Sequence, residues 1–351
     1  MKKSLLALAV LGAFAGVASA QSSVTLSGTV DVNGRYVKNG DTKGYSLSTD
    51  GINSSQLVFS GIEDLGSGLK AGFVLNAGVN PDTGTSNVAT SADGTPVSKL
   101  FNRRSTVSLW NGLGELRLGR DYTPTFWTPG IIDPFGANGI GTFYNVISTL
   151  GSGASTLVRA DNSIGYHLPA GIGGLYGQVM VAAGENGTAP TQANNKYVGG
   201  RIGFGAGPFD ISGAASETTI NANDEKYKLF NIGASYNFGF LKLGGLIQEG
   251  KYLAKKQDLY HIGVVVPFGQ SEIHAGYTRA DAKGDGTDAN DADQAAITYV
   301  YNLSKRTAVY ATGAYIKNKG ASTFVVGGFP PSGGATPQKS TGAEFGIRHF
   351  F

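Results

Sequence analysis

Hydrophobic and polar residues alternate along most of the chain. Near its start, Thr25, Ser27, Thr29, Asp31, Asn33 and Arg35 share one parity, and Val24, Leu26, Val30, Val32 and Tyr36 share the other. Successive strand residues point to opposite faces, so this segment predicts a strand with one wet side and one apolar side. The pattern returns at 69–79, where Ala71, Phe73, Leu75, Ala77 and Val79 form the apolar set. It returns again at 259–266 with Tyr260, Ile262, Val264 and Val266, and at 271–280, where Ile273, Ala275 and Tyr277 oppose Glu272 and His274. Short Gly-rich turns are expected at 64–68, 111–114, 169–174, 205–208, 237–240, 267–270 and 302–306. Longer polar connections are expected at 39–53, 81–99, 121–161, 184–195, 219–225, 253–256, 281–291 and 319–340. Seven turns and eight loops make fifteen connections, hence sixteen strands.

An even number of antiparallel strands, with tight turns at one end and long loops at the other, is the pattern of a transmembrane β-barrel. A sheet in lipid must close, because an open edge leaves N–H and C=O groups unpaired. A sandwich or solenoid also alternates, but it needs a second apolar layer of protein. Here the apolar residues are spread thinly over many strands, as expected when lipid supplies that layer. The predicted fold class is therefore all-β, a sixteen-stranded antiparallel transmembrane barrel. Aromatic residues gather at strand ends (Phe101 and Trp110, Phe204 and Phe209, Phe238 and Phe240, Phe268, Phe350 and Phe351), as in interfacial girdles.

Composition agrees. Charged residues make up 15% of the 351 residues, against roughly 25% for an ordinary soluble domain. There is no ~20-residue apolar run beyond the N-terminus to act as a spanning helix. Sixteen Tyr and 18 Phe exclude a disordered chain. Lys2 and Lys3, the apolar stretch 5–17 and Ala18-Ser19-Ala20 read as a secretory signal cleaved after Ala20. Residues 1–20 are thus a signal peptide and 21–351 a single barrel domain. Removing the two signal lysines from 28 basic residues leaves 26 against 25 acidic ones, a net charge of +1. That balance argues against a nucleic-acid partner. With no Cys, stability must come from strand pairing and packing.

Candidate chemistry is sparse. His167, His261 and His274 alternate to the polar side, and no catalytic triad stands out. The Gly245–Lys251 stretch has phosphate-loop spacing, but Tyr252 stands where Ser or Thr is required. Asp281, Asp285, Asp288, Asp291 and Asp293 lack the spacing and bidentate Glu of a calcium hand. No catalytic residue, cofactor or metal site is expected. A barrel enzyme remains the rival class.

Several segments carry a resemblance: Val24-Thr25-Leu26-Ser27-Gly28, Gly61-Ile62-Glu63-Asp64-Leu65-Gly66-Ser67-Gly68-Leu69-Lys70-Ala71, and Phe101-Asn102-Arg103-Arg104-Ser105-Thr106-Val107-Ser108-Leu109. Leu116-Arg117-Leu118-Gly119-Arg120-Asp121 and the terminal Gly346-Ile347-Arg348-His349-Phe350-Phe351 complete it. In order and spacing these resemble the general diffusion porins of Gram-negative outer membranes, in their β-proteobacterial branch. The resemblance implies an exported homotrimer set in outer-membrane lipids. It would form water-filled channels for passive diffusion of small hydrophilic solutes and ions. An alternative is a substrate-specific channel for a sugar or small carboxylate, with Phe126, Trp127, Phe135, Phe143 and Tyr144 as an aromatic slide. The resemblance also implies that the third long loop, 121–161, folds into the lumen and that Phe351 serves recognition by the insertion machinery; the chain itself supplies a candidate trimer latch in the second loop, 81–99.

Selectivity of such a pore comes from its width and lining charge. Alternation places Asp31, Arg35, Glu115 and Arg117 on the polar side, with Arg104 turned inward and Arg103 near the rim or at a bulge. Extending the parity of Ile164, Tyr166 and Leu168 adds Arg159 and Asp161. The resembled porins set wall arginines opposite acids on the inward loop. Arg103 or Arg104, with Arg159, match two of the wall positions; Asp121 and Asp133 are the candidate loop acids. Gln56 stands at a usually basic position, Asn76 replaces a wall acid, and Ser60 replaces a further basic residue. The expectation is weak charge selectivity with a slight anion preference from Arg104, Arg117 and Arg159.

Overall fold

The computed structural model describes residues 23–86, 88–90, 96–186, 193–221, 223–328 and 338–351. The expected signal peptide, 1–20, and residues 87 and 91–95 of the expected latch loop, 81–99, lie outside the described residues. The wall runs in chain order through β1 (Ser23–Asn39), β2 (in two parts, Thr42–Thr49 and Gln56–Gly66), β3 (Leu69–Asn80), β4 (Arg104–Asn111) and β5 (Gly114–Tyr122). It continues with β6 (Arg159–His167), β7 (Leu175–Ala182), β8 (Lys196–Ala206), β9 (Phe209–Thr219), β10 (Lys226–Asn237) and β11 (Lys242–Tyr252). The last five are β12 (Lys255–Phe268), β13 (Ser271–Lys283), β14 (Ala292–Asn302), β15 (Thr307–Asn318) and β16 (Lys339–Phe350). Each pairs antiparallel with its neighbours, and β1 pairs with β16 from Thr29↔Phe350 to Asn39↔Ser340. The ladder is sealed at the last residue, where the backbones of Gly28 and Phe351 exchange two hydrogen bonds of 3.1 Å. The result is a closed sixteen-stranded antiparallel barrel.

Burial is inverted relative to a water-soluble protein. On the outer face Val24, Ile202 and Phe345 are 69%, 60% and 68% exposed. On the opposite face Asp31, Asn33, Asn231 and Thr278 are buried. Such a wall suits lipid outside and polar matter within. At the end with the tight turns, Phe204, Phe209, Phe238, Phe240 and Phe268 are all exposed beside those turns, where the aromatic girdle was expected.

Three boundaries differ from the expectation. The first long loop, 39–53, is a turn at 40–41 followed by a strand, Thr42–Thr49, in which Tyr45 and Leu47 face outward. Its polar residues disguised the strand. Connection 253–256 is a two-residue hairpin turn at 253–254, between β11 and β12. The third connection is 123–158, because Asp121 and Tyr122 end β5 and Arg159–Asp161 begin β6. Between Ala160 and Ser163 the β5–β6 register slips by one residue. The bulge needs Gly119, at φ 125°, since a Cβ there would come within 2.1 Å of the Ser105 carbonyl oxygen.

The core lies between this third connection and the wall. Its helix α1 (Pro124–Ile132) opens with a proline, whose missing N–H costs nothing there. Beyond α1, Phe135, Ile140, Phe143 and Val146 are buried with Leu246, Leu259 and Ile316 of the wall and Val326 of the last long loop.

Asp31 repairs the interruption in β2. Its carboxylate accepts the backbone N–H groups of Gly51 at 3.2 Å, Ile52 at 2.9 Å and Asn53 at 2.8 Å, and the hydroxyl of Tyr310. Asp31→Ala would orphan those donors, and each unsatisfied group costs about 1–3 kcal/mol. We expect a clearly lower thermal unfolding temperature in detergent, followed by circular dichroism; an unchanged transition would refute this role.

Candidate functional site

Two groups of arginines occupy the polar face where β2–β6 meet the third connection. Arg103 precedes β4 at a bend, so strict alternation does not bind it. Its Nη2 donates to Tyr122 Oη at 3.0 Å and its Nε to Gln56 Oε1 at 3.2 Å. Gln56 also accepts from Asn76 Nδ2 at 2.8 Å. From β6, Arg159 Nη2 donates to the same Tyr122 hydroxyl at 2.8 Å, with its guanidinium carbon 4.4 Å from the ring centroid. Tyr122 stacks on Phe126 of α1, centroids 4.9 Å apart, and lies 5.4 Å from Trp127. Among the described residues, no carboxylate pairs with Arg103 or Arg159.

The second group is self-neutralised. Arg117 binds Asp121 at 2.6 Å and Glu115 at 2.9 Å, and Arg104 Nε lies 3.3 Å from Asp121. Two guanidiniums therefore face two carboxylates of their own wall. Arg103 and Arg104 both reach polar-face partners.

The other nominated residues stand apart from both groups. Arg35 is ion-paired with the buried Glu344 across the β1–β16 seam, and its Nη1 donates to the Gly327 carbonyl at 3.4 Å. Asp31 holds the β2 interruption described above. Asp161 binds Arg120 at 2.7 Å and Lys99 at 2.5 Å. The bulge breaks the parity that was extended through Asp161, because it inserts one residue between Ala160 and Ser163.

Asp133 is the one charged residue in 123–158. Its carboxylate accepts the N–H groups of Phe135 and Ala137, each at 3.1 Å, and the Thr142 hydroxyl at 2.7 Å. It thus closes a turn within its own segment. Burial pushes its carboxyl up to about 6, outweighing those hydrogen bonds.

Wall side chains tie the segment along its length. Asn231 Nδ2 donates to the Thr125 carbonyl at 2.8 Å, and Thr128 and Ser212 hydroxyls lie 2.9 Å apart. Arg201 Nε reaches Thr128 Oγ1 at 3.1 Å. Gln294 Nε2 donates to the carbonyls of Gly141 and Thr142, both at 2.8 Å, and Gln257 Nε2 to that of Val146 at 3.0 Å. His274 Nδ1 lies 2.7 Å from the Pro134 carbonyl oxygen. The segment is fastened to wall strands from β8 to β14, all through their polar faces.

A sequence model of the family described as Gram-negative porin matches residues 7–321. The chain belongs to that family. Outer membrane porin protein 32 of Delftia acidovorans is 40% identical over the full length of both chains. An outer membrane porin protein of Bordetella pertussis is 30% identical, again over the full length of both. Among solved structures, an anion-selective porin from Comamonas acidovorans superposes with a TM-score of 0.82 at 36% identity, covering 94% of this chain and 100% of that one. The protein is accordingly an outer-membrane porin, a β-barrel channel through which small hydrophilic solutes and ions diffuse passively.

Sequence reasoning missed Tyr122, where the two unpaired arginines of the porin converge, because it lay inside the presumed loop. It also missed Glu344, the partner of Arg35, since cross-seam neighbours are far apart in sequence. An aromatic residue immediately before Thr123-Pro124 was the available signal for Tyr122.

For Asp133 the linkage sign is fixed by a raised carboxyl pKa. The segment's packing is most stable below the ordinary value near 3.8 and loses stability as pH rises through about 6. Open-channel current noise should therefore increase between pH 4 and pH 7 in the wild type, and Asp133→Asn should flatten that dependence. A variant with the wild-type pH profile would contradict it.

Proposed function

We propose that the third connection forms the constriction of a weakly anion-preferring diffusion pore, and that three such barrels associate. Packing of 123–158 on the polar wall face supports its place in the bore, where it narrows a lumen otherwise wide at sixteen strands. Its own backbone then finds partners in the wall and in water, as a segment at membrane depth requires.

One observation carries the preference. The segment brings a single charge, Asp133, and spends it on its own turn. Opposite the wall there is thus no acid to balance Arg103 and Arg159, whereas Arg104 and Arg117 are offset by Asp121 and Glu115. At an effective dielectric of about 20, one charge acts on another with about 4 kcal/mol at ~4 Å. Two uncompensated guanidiniums are therefore enough to bias ion passage. Gln56 and Asn76, neutral and hydrogen-bonded to one another, keep the bias modest. The similarity to a porin described as anion-selective points the same way.

Reversal potentials across a KCl gradient test the reading. The wild type should favour chloride by a small factor, and Arg103→Gln combined with Arg159→Gln should bring the ratio to unity or below. Arg117→Gln should shift it toward cations, by freeing the charge of Asp121 and Glu115. A cation-selective wild type, or a double variant that keeps the chloride preference, would reject the assignment.

A further inference from the structure

Away from the arginines at Tyr122, a cavity of about 350 Å³ opens between Ile131–Gly136 and the tight-turn ends of the wall strands. Its size falls at the lower end of small-molecule sites. Resting on the anion-channel reading, we infer that this cavity is a binding site for small organic carboxylates carrying an apolar body. The site is distinct from the Arg103–Arg159 pair.

The lining combines cationic and apolar side chains. Lys242 opens β11 and Arg348 nearly closes β16, and among the described residues neither has an ion pair. Arg348 is tethered by neutral amides, Nη1 to Asn53 Oδ1 at 3.2 Å and Nη2 to Asn302 Oδ1 at 3.4 Å. Its guanidinium carbon sits 4.1 Å from the Phe350 ring centroid. The Nε of Arg348 is buried and meets no protein acceptor. A guanidinium held this way is oriented and, among the described residues, has no carboxylate at ion-pair distance, the state that suits bidentate capture of a carboxylate.

Neither acid in the lining forms an ion pair with it, although Glu272, and Asp31 beyond the lining, attract its charge from farther off. Asp133 is bound into its own turn. Glu272 accepts from Asn302 Nδ2 at 3.1 Å and faces His274 Nε2 at 2.9 Å. Ile131, Ile132, Phe135, Val265 and Val300 supply the apolar part of the lining. Gly244 and Gly263 keep the wall free of side chains beneath it. At Gly263 a Cβ would come within 2.5 Å of Pro134, so the small residues set the close approach of segment and wall. An inorganic anion would use only the cations. A carboxylate with a hydrocarbon or aromatic body would use both parts.

The test is current block in planar bilayers with the full-length porin in KCl, adding benzoate to either side. Acetate serves as the anion without an apolar body, and benzamide as its uncharged counterpart. Benzoate should reduce single-channel current reversibly and saturably, with acetate and benzamide ineffective at the same concentration. Arg348→Gln and Lys242→Gln should each raise the half-blocking concentration about tenfold or more. Lys242 lies at a strand start beside a turn, so its variant carries the test should Arg348→Gln fail to fold. Equal block by acetate or benzamide, or undiminished benzoate block in the variants, overturns the site. A wild type that conducts with chloride preference yet ignores benzoate overturns the site alone. Loss of chloride preference itself would instead bring down the reading beneath it.

Discussion

Every backbone N–H and C=O within the hydrocarbon layer must find a partner in the protein, because lipid offers none. The rest of this structure follows from that constraint. It forces the strands to close, and closure is achieved by β1, which pairs along one edge with both parts of β2 and along the other with β16. The final residue takes part, through the paired bonds between Gly28 and Phe351. Where β2 breaks, the obligation passes to a side chain, and Asp31 receives the N–H groups the ladder no longer serves. A buried carboxylate at that place is thus a consequence of strand pairing.

Closure also separates two solvents. The outer face needs only to be apolar, and the inner face is free to carry amides, hydroxyls and charges. The third connection exploits this freedom. Its helix and turns are tied by Asn231, Gln257, Gln294 and Ser212, all on the polar face of the wall, and Phe135, Ile140, Phe143 and Val146 are buried. Charge then becomes a matter of placement. Cations that meet wall acids cancel locally, as at Arg117. Cations that meet only a phenol, an amide or an aromatic face, as at Arg103 and Arg159, keep their field.

The period-two pattern made the wall legible before any coordinates. The parity assigned to β1 holds, as does the strand count. The inward parity of the three histidines holds at His261 and His274, which meet Thr278 on the inner face and Pro134 of the third connection. What parity could not supply was partnership. Asp31, Arg35, Arg117 and Asp121 all alternate to the wet side, yet they differ in whether a neighbour on another strand neutralises them. Glu344, far along the chain, decides the matter for Arg35. Bends and bulges were the second blind spot, since one extra residue at Ala160–Ser163 shifts the face of everything beyond it. Short polar strands were the third. Thr42–Thr49 was read as loop because its face toward the lumen and its flanks are equally hydrophilic.

The claim on which all else rests is a membrane-closed cylinder around a continuous aqueous path. Single-channel recording of the purified wild type in a planar lipid bilayer addresses it most directly. The account predicts abrupt, ohmic, long-lived conductance steps that insert in groups of three. Membranes that stay electrically silent, although the protein has folded and inserted, would contradict it.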